Sequence, residues 1–211
     1  MEREEAPKRD ARTKLLDAAI QVIRAKGYAA TSVDELCRVA GVTKGAFFHH
    51  FASKDALAVA SAKYWSEQTS ALFASAPYHQ PEDPLERVLA YIDFRTVLLE
   101  GTVPEFTCLA GTMVQEAFAV SDEIRAACAA SIFGHAQTLE ADIEAARQKY
   151  RVDGDWTARS LALHTQAVLQ GAFVLAKADG GPAIARDMAS HLKRYVRLLF
   201  NGRKETRRRQ S

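Results

Sequence analysis

An all-α protein of about nine helices is predicted from this 211-residue chain by three observations. Val, Ile and Thr never alternate with polar residues over the length of a strand. Apolar residues recur instead at three- and four-residue spacings along the whole chain. The interruptions carry helix punctuation, with Gly27 and Gly41 after helical runs and Ser32, Thr43 and Ser53 before them.

The first helix is expected from about Asp10 to Lys26, with Leu15, Leu16, Ala18, Ala19, Val22 and Ile23 as its apolar stripe and Gly27 as its stop. Ser32-Val-Asp-Glu35 reads as a capping box that opens the second helix: the serine oxygen serves the Glu35 N–H and the glutamate reaches back. That helix ends at Ala40-Gly41, where glycine admits the positive φ of a sharp turn. Thr43 caps a third, short helix that ends near His50 or Phe51. Phe47 and Phe51 stand four residues apart, so they share its core face, and Ala46, His49 and His50 lie away from that face. Ser53 caps a long fourth helix to about Ser75, carrying Leu57, Tyr64, Trp65 and Leu72.

Three prolines between Ala76 and Pro84 make the clearest break in the chain. Five further helices are expected: about Pro84 to Glu100, Cys108 to Ala119, Asp122 to Tyr150, Trp156 to Ala178 and Pro182 to Phe200. The tail from 201 to 211 has no apolar face and is expected to be disordered.

No apolar run approaches the roughly 20 residues that a membrane-spanning helix needs. The N-terminus is charged with no apolar segment behind it, so no secretory signal is expected and the cytoplasm is the default location. Basic residues outnumber acidic ones ten to eight over residues 1–60 and five to one over 201–211, whereas acidic residues lead seventeen to thirteen between them. Cys37, Cys108 and Cys128 have no CxxC spacing, which argues against a disulfide framework and a structural zinc site. His49 and His50 are adjacent, and adjacent residues on a helix do not face one another, so they are not read as metal ligands. No nucleophile–base pair, metal set or phosphate-cradling glycine loop stands at usable spacing, so neither an enzyme nor a cofactor is expected.

What remains distinctive is Thr31 to Lys54, two short helices joined by a tight turn at Gly41. Its second helix presents Lys44, His49 and His50 beside Phe47, Phe48 and Phe51. A short helix with basic and aromatic side chains after an Ala-Gly-Val turn suits entry into a groove of DNA.

The ordered series Lys26-Gly27-Tyr28, Ala30-Thr31-Ser32, Ala40-Gly41-Val42-Thr43-Lys44-Gly45, His49-His50-Phe51 and Ser53-Lys54 resembles the TetR family of bacterial repressors over about residues 10–58. The resemblance implies a helix-turn-helix DNA-binding domain over 1–55 with a basic N-terminal arm, and a helical effector-binding and dimerisation domain over 56–200, followed by the basic tail. It implies a homodimer that binds double-stranded palindromic operator DNA, released by a small-molecule effector, with no membrane partner. Carried over residue by residue, Thr31, Thr43, Lys44, His50 and Lys54 are expected at phosphates or groove edges and Ala46 and His49 at bases. Phe48 replaces the tyrosine of many members and keeps an apolar groove contact without a hydroxyl to donate.

The same resemblance implies an effector pocket whose candidate lining is Tyr91, Phe94, Arg95, Phe106, Met113, Gln115, Phe118, Phe133, His135, Gln170 and Phe173. It implies dimerisation through the last two helices, where Leu161, Val168, Gly171, Leu175, Met188, Leu192, Tyr195 and Leu199 recur. The segment from Phe106 to Glu116 resembles a subgroup with Cys-Leu-x-Gly followed by Gln-Glu, which makes Cys108 a candidate thiol sensor at a helix N-terminus, where the dipole favours thiolate.

Overall fold

The computed structural model describes residues 10–201; the N-terminal arm expected at 1–9 and the tail at 202–211 lie outside the described residues. Eleven α-helices and one 3₁₀ turn, with no strand, make up the described chain. They are α1 (Ala11–Lys26), α2 (Val33–Ala40), α3 (Lys44–His50), α4 (Lys54–Ala74), the 3₁₀ turn Pro77–His79, α5 (Pro84–Val97), α6 (Val103–Phe106), α7 (Leu109–Ala117), α8 (Asp122–Gln137), α9 (Glu140–Tyr150), α10 (Ala158–Asp179) and α11 (Ala183–Asn201).

The count exceeds the expected nine for two local reasons. The expected helix from Cys108 is preceded by a separate four-residue helix, α6, which Pro104 opens and Glu105 closes back onto the Thr102 N–H at 2.6 Å. Thr107 and Cys108 separate it from α7, so Cys108 stands one residue before that helix. The expected helix from Asp122 to Tyr150 is broken at Thr138–Leu139. Here the Thr138 hydroxyl donates to the His135 carbonyl at 2.8 Å, and the N–H groups of Thr138 and Leu139 bond three residues back and tighten the turn.

Two compact units result. One comprises residues 1–69 together with Leu109–Ser131, the other Ser70–Cys108 together with Ile132–Ser211. The expected boundary at 55/56 therefore falls inside α4, and residues 109–131 group with the N-terminal helices. In the first unit, Leu15, Leu16, Val22 and Ile23 of α1, Leu36 of α2, Phe47 of α3 and Leu57 of α4 are buried, as are Leu109, Met113 and Ile124. Burying each such side chain contributes about 1.5–3 kcal/mol. α7 packs against α1. Its Glu116 accepts the Ala29 N–H at 2.7 Å. Gly27 makes this approach possible: its φ is +91°, and a Cβ there would lie 2.2 Å from Glu116 Oε1.

In the second unit, α5 packs on α9 and α11, and α10 on α9 and α11. The main core runs through Leu89, Tyr91, Ile92, Leu139, Ile143, Leu161, Leu169, Leu192 and Val196. A smaller core gathers Leu99, Phe106, Ala172, Phe173, Ala176 and Ala185. No described helix is long and apolar enough to cross a membrane.

Candidate nucleic-acid interface

The turn between α2 and α3 is built from backbone bonds and caps. Ser32 Oγ accepts the Glu35 N–H at 3.2 Å and Thr43 Oγ1 accepts the Ala46 N–H at 3.1 Å, so both short helices start on a side-chain cap. The Glu35 carboxylate pairs with Lys26 instead of returning to Ser32, which leaves the expected capping box half formed. Gly41 adopts the left-handed region at φ +64°, and the N–H groups of Gly41 and Val42 return to Arg38 and Cys37. Satisfying those carbonyls lets α2 stop abruptly and α3 depart at an angle.

Phe47 anchors α3 from beneath, fully buried, with Phe48 edge-on at 5.1 Å and Phe51 at 6.0 Å between ring centroids. Phe48 itself is 57% exposed. Thr43, Lys44, Gly45 and His49 are exposed with it, and Ala46 and His50 are half-buried. Positions 45, 48 and 49 form one strip, as do 46, 49 and 50. The His49 and His50 rings meet edge to face at 4.9 Å. Lys44 pairs with Asp34 at 2.6 Å, yet both side chains are mostly exposed. An exposed pair of this kind holds weakly, so the ammonium can exchange a carboxylate for a phosphate.

Two residues expected at phosphates make bonds within the protein itself. Thr31 is 2% exposed, and its hydroxyl donates to the Gly27 carbonyl at 2.6 Å. Lys54 Nζ donates to the carbonyls of Tyr28 and Thr31 at 3.2 and 3.1 Å and sits 4.2 Å from the Tyr28 ring centroid. Its charge closes the α1–α2 loop from within, beside a Tyr28 hydroxyl that donates to Asp55. Lys54→Gln is therefore expected to lower stability by about 1–3 kcal/mol in a denaturant titration. The slope of log affinity for DNA against log salt should not change; a slope smaller by about one would return Lys54 to the phosphate contacts.

Sequence reasoning missed Glu116 as the group that caps the α1–α2 turn. Gly27 and the Gln-Glu pair were both visible signals, but nothing in a linear pattern joins positions 87 residues apart.

The expected effector residues separate into four sets. Tyr91, Phe94, Arg95, His135 and Phe173 are brought together in the second unit, joined by Phe73 and Gln166. Phe106 is buried in the smaller core against Phe173, and Gln170 is half-buried on α10. Met113 is buried in the first unit, and the Gln115 amide donates to its own helix at Gly111. Phe118 and Phe133 are corrected: they are 57% and 56% exposed. Phe73 was missed because its neighbour Leu72 carried the apolar spacing of the fourth helix.

Among the expected dimer residues, Leu161 and Leu192 are corrected, since both are buried in the second unit's own core. Val168 and Leu199 pack against that core, and Met188 packs against the smaller one. Gly171, Leu175 and Tyr195 are exposed. Val174 and Leu198 are exposed as well, and the His164 ring stands 5.0 Å from Tyr195. None of the three cysteines is in a disulfide; Cys37 and Cys128 are buried and Cys108 is half-buried.

Residues 15–60 match the family described as bacterial regulatory proteins, tetR family. The chain is 28% identical over 117 residues to the transcriptional regulator AcuR of Cereibacter sphaeroides, covering 56% of this chain and 53% of AcuR. It is 36% identical over 52 residues to the HTH-type transcriptional regulator YerO of Bacillus subtilis, covering 25% of this chain and 18% of YerO. The chain thus spans less than two thirds of the length of these curated relatives. The fold is that of a TetR-family transcriptional regulator from Agrobacterium tumefaciens, with a TM-score of 0.77 at 22% identity over 88% of this chain and 96% of that one.

Proposed function

We propose that the protein is a ligand-responsive transcriptional regulator that binds palindromic operator DNA as a cytoplasmic homodimer and represses until a small molecule releases it. The observation that carries this reading is the outward face of α3. Lys44, Phe48 and His49 stand exposed on a helix whose opposite face is pinned by Phe47 and whose start is capped by Thr43. Lys44 and His50 meet phosphates, Ala46 and His49 meet base edges, and Phe48 packs on sugar or a thymine methyl. So few base-facing groups cannot specify a promoter alone, and a two-fold dimer doubles them at a spacing of roughly 34–36 Å. The exposed face of Gly171, Val174, Leu175, Tyr195 and Leu198 supports dimerisation through α10 and α11.

A gel-shift titration with the DNA upstream of its own gene tests this. A discrete complex that weakens steeply with salt is expected, and His49→Ala should relax its sequence preference by about 1–3 kcal/mol at one position of each half-site. Absence of any specific complex at moderate salt sinks the reading. Cys108, half-buried just before α7, supports a thiol-reactive effector as a finer version. Release by an alkylating agent that persists in Cys108→Ser excludes that thiol.

A further inference from the structure

The second unit holds a half-buried cation among neutral groups. Arg95 projects from α5, with its guanidinium carbon 5.4 Å from the Phe73 ring centroid, 5.7 Å from that of Phe173 and 6.0 Å from that of Tyr91. Its Nη1 lies 3.2 Å from the Tyr91 hydroxyl and 3.3 Å from His135 Nε2. Among the described residues no carboxylate lies within ion-pair distance of it. The aromatic faces offset part of the cost of holding the charge there, but no anion offsets the rest.

The proton count around Tyr91 fixes the neutral state of its neighbours. Arg95 and the Gln166 amide, at 3.1 Å, both donate to the Tyr91 oxygen and occupy its two lone pairs. The phenolic proton therefore goes to His135 Nε2, 2.8 Å away. That nitrogen must be unprotonated, so the imidazole is neutral with its proton on Nδ1. Burial, and then the Arg95 charge, push His135 down to about 3, in accord with this count. With His135 neutral, the Arg95 guanidinium is the cation of the cluster.

A guanidinium that spends Nη1 on the Tyr91 oxygen retains the parallel N–H pair of its Nε–Nη2 edge. A planar two-oxygen anion matches that edge in a bidentate pair. One cation beside a histidine held neutral balances a monoanion, not a phosphate dianion. The rings of Phe73, Phe94 and Phe173 offer apolar surface beside it. We propose that this cluster is the recognition end of the effector site and that the effector is an organic carboxylate, its oxygens on Arg95 and its carbon skeleton against the phenylalanine rings. This rests on the ligand-responsive reading above.

Matched pairs that differ only in charge test it on the full-length protein: benzoate against benzamide and hexanoate against hexanamide, with inorganic phosphate as a third arm, followed by thermal shift and calorimetry. At least one acid should raise Tm with concentration up to about 10 mM, and bind roughly tenfold or more tightly than its amide. Phosphate should give no shift. Arg95→Gln should lose the acid's binding, while Arg95→Lys, which keeps the charge without the fork, should weaken it. Amides that match their acids in the wild type overturn the proposal whether or not the variants fold. So does acid binding that survives in folded Arg95→Gln, or stabilisation by neither acid. A neutral compound that raises Tm and dissolves the DNA complex leaves the regulator standing and removes the carboxylate. Failure of the gel shift with intact Arg95-dependent acid binding does the reverse.

Discussion

Phe47→Ala is expected to cost about 3–5 kcal/mol and to abolish operator binding, because it removes the side chain that holds α3 to α1 and α2. The ring is fully buried and meets Phe48 and Phe51, and its backbone N–H continues the helix from Thr43. No neighbouring group can expand into the space, since α3 has only seven residues and a single buried one. Against a total stability of about 5–15 kcal/mol for a typical domain, a loss of this size leaves the helix-turn-helix partly unfolded at working temperature. Urea unfolding gives the stability and the gel shift gives the affinity. A loss below about 1 kcal/mol with operator binding intact would show that α3 is held by something other than this ring.

Leu198→Glu should produce a monomer and weaken operator binding by roughly 10²–10⁴, the gain that a second linked half-site confers. Leu198 is 69% exposed on α11, so the exchange removes nothing from the protomer's own core. It would instead bury two carboxylates, one from each copy, in an apolar two-fold contact, and uncompensated charge there is strongly unfavourable. Light scattering after size exclusion reads the mass, and far-UV circular dichroism verifies that helix content is retained. A variant that remains dimeric excludes the α10–α11 face as the interface. Normal DNA affinity in a demonstrated monomer would instead show that one copy suffices for recognition.

The helices of the first 50 residues were legible because their determinants are local. Ser32 and Thr43 cap three residues ahead, Gly41 turns on its own φ, and the 47/51 spacing puts two rings on one face. The orientation of Thr31 and Lys54 was not, because a hydroxyl or ammonium at the edge of a helix-turn-helix can point to phosphate or to a nearby carbonyl. The carbonyls of Gly27, Tyr28 and Thr31 that decide the matter come from a loop with no periodicity. The break at Thr138 was hidden for a related reason. Threonine is compatible with a helix interior, and only its bond to His135 reveals the tightened turn. Phe118 and Phe133 were expected at a pocket because the family resemblance implies one; their exposure depends on how the rest of the chain covers α8 and the turn after α7. The Arg95 cluster lay between these cases. Its members were recognisable as aromatic and polar residues, but the proton order from Tyr91 to His135 exists only once α5, α8 and α10 are assembled.

The first unit is assembled from two stretches of sequence, 1–69 and 109–131, and this limits how such a regulator can exchange its parts. A recombination breakpoint after Thr69 would transplant α1 without α7, leaving the Ala29 N–H to whatever residue the recipient carries in place of Glu116. Gly27, whose missing side chain admits that carboxylate, would become a vestige of a partner left behind. On the function proposed above, the heritable module of DNA recognition is therefore a pair of segments, and a change of operator specificity by substitution along α3 disturbs less than a change by domain exchange.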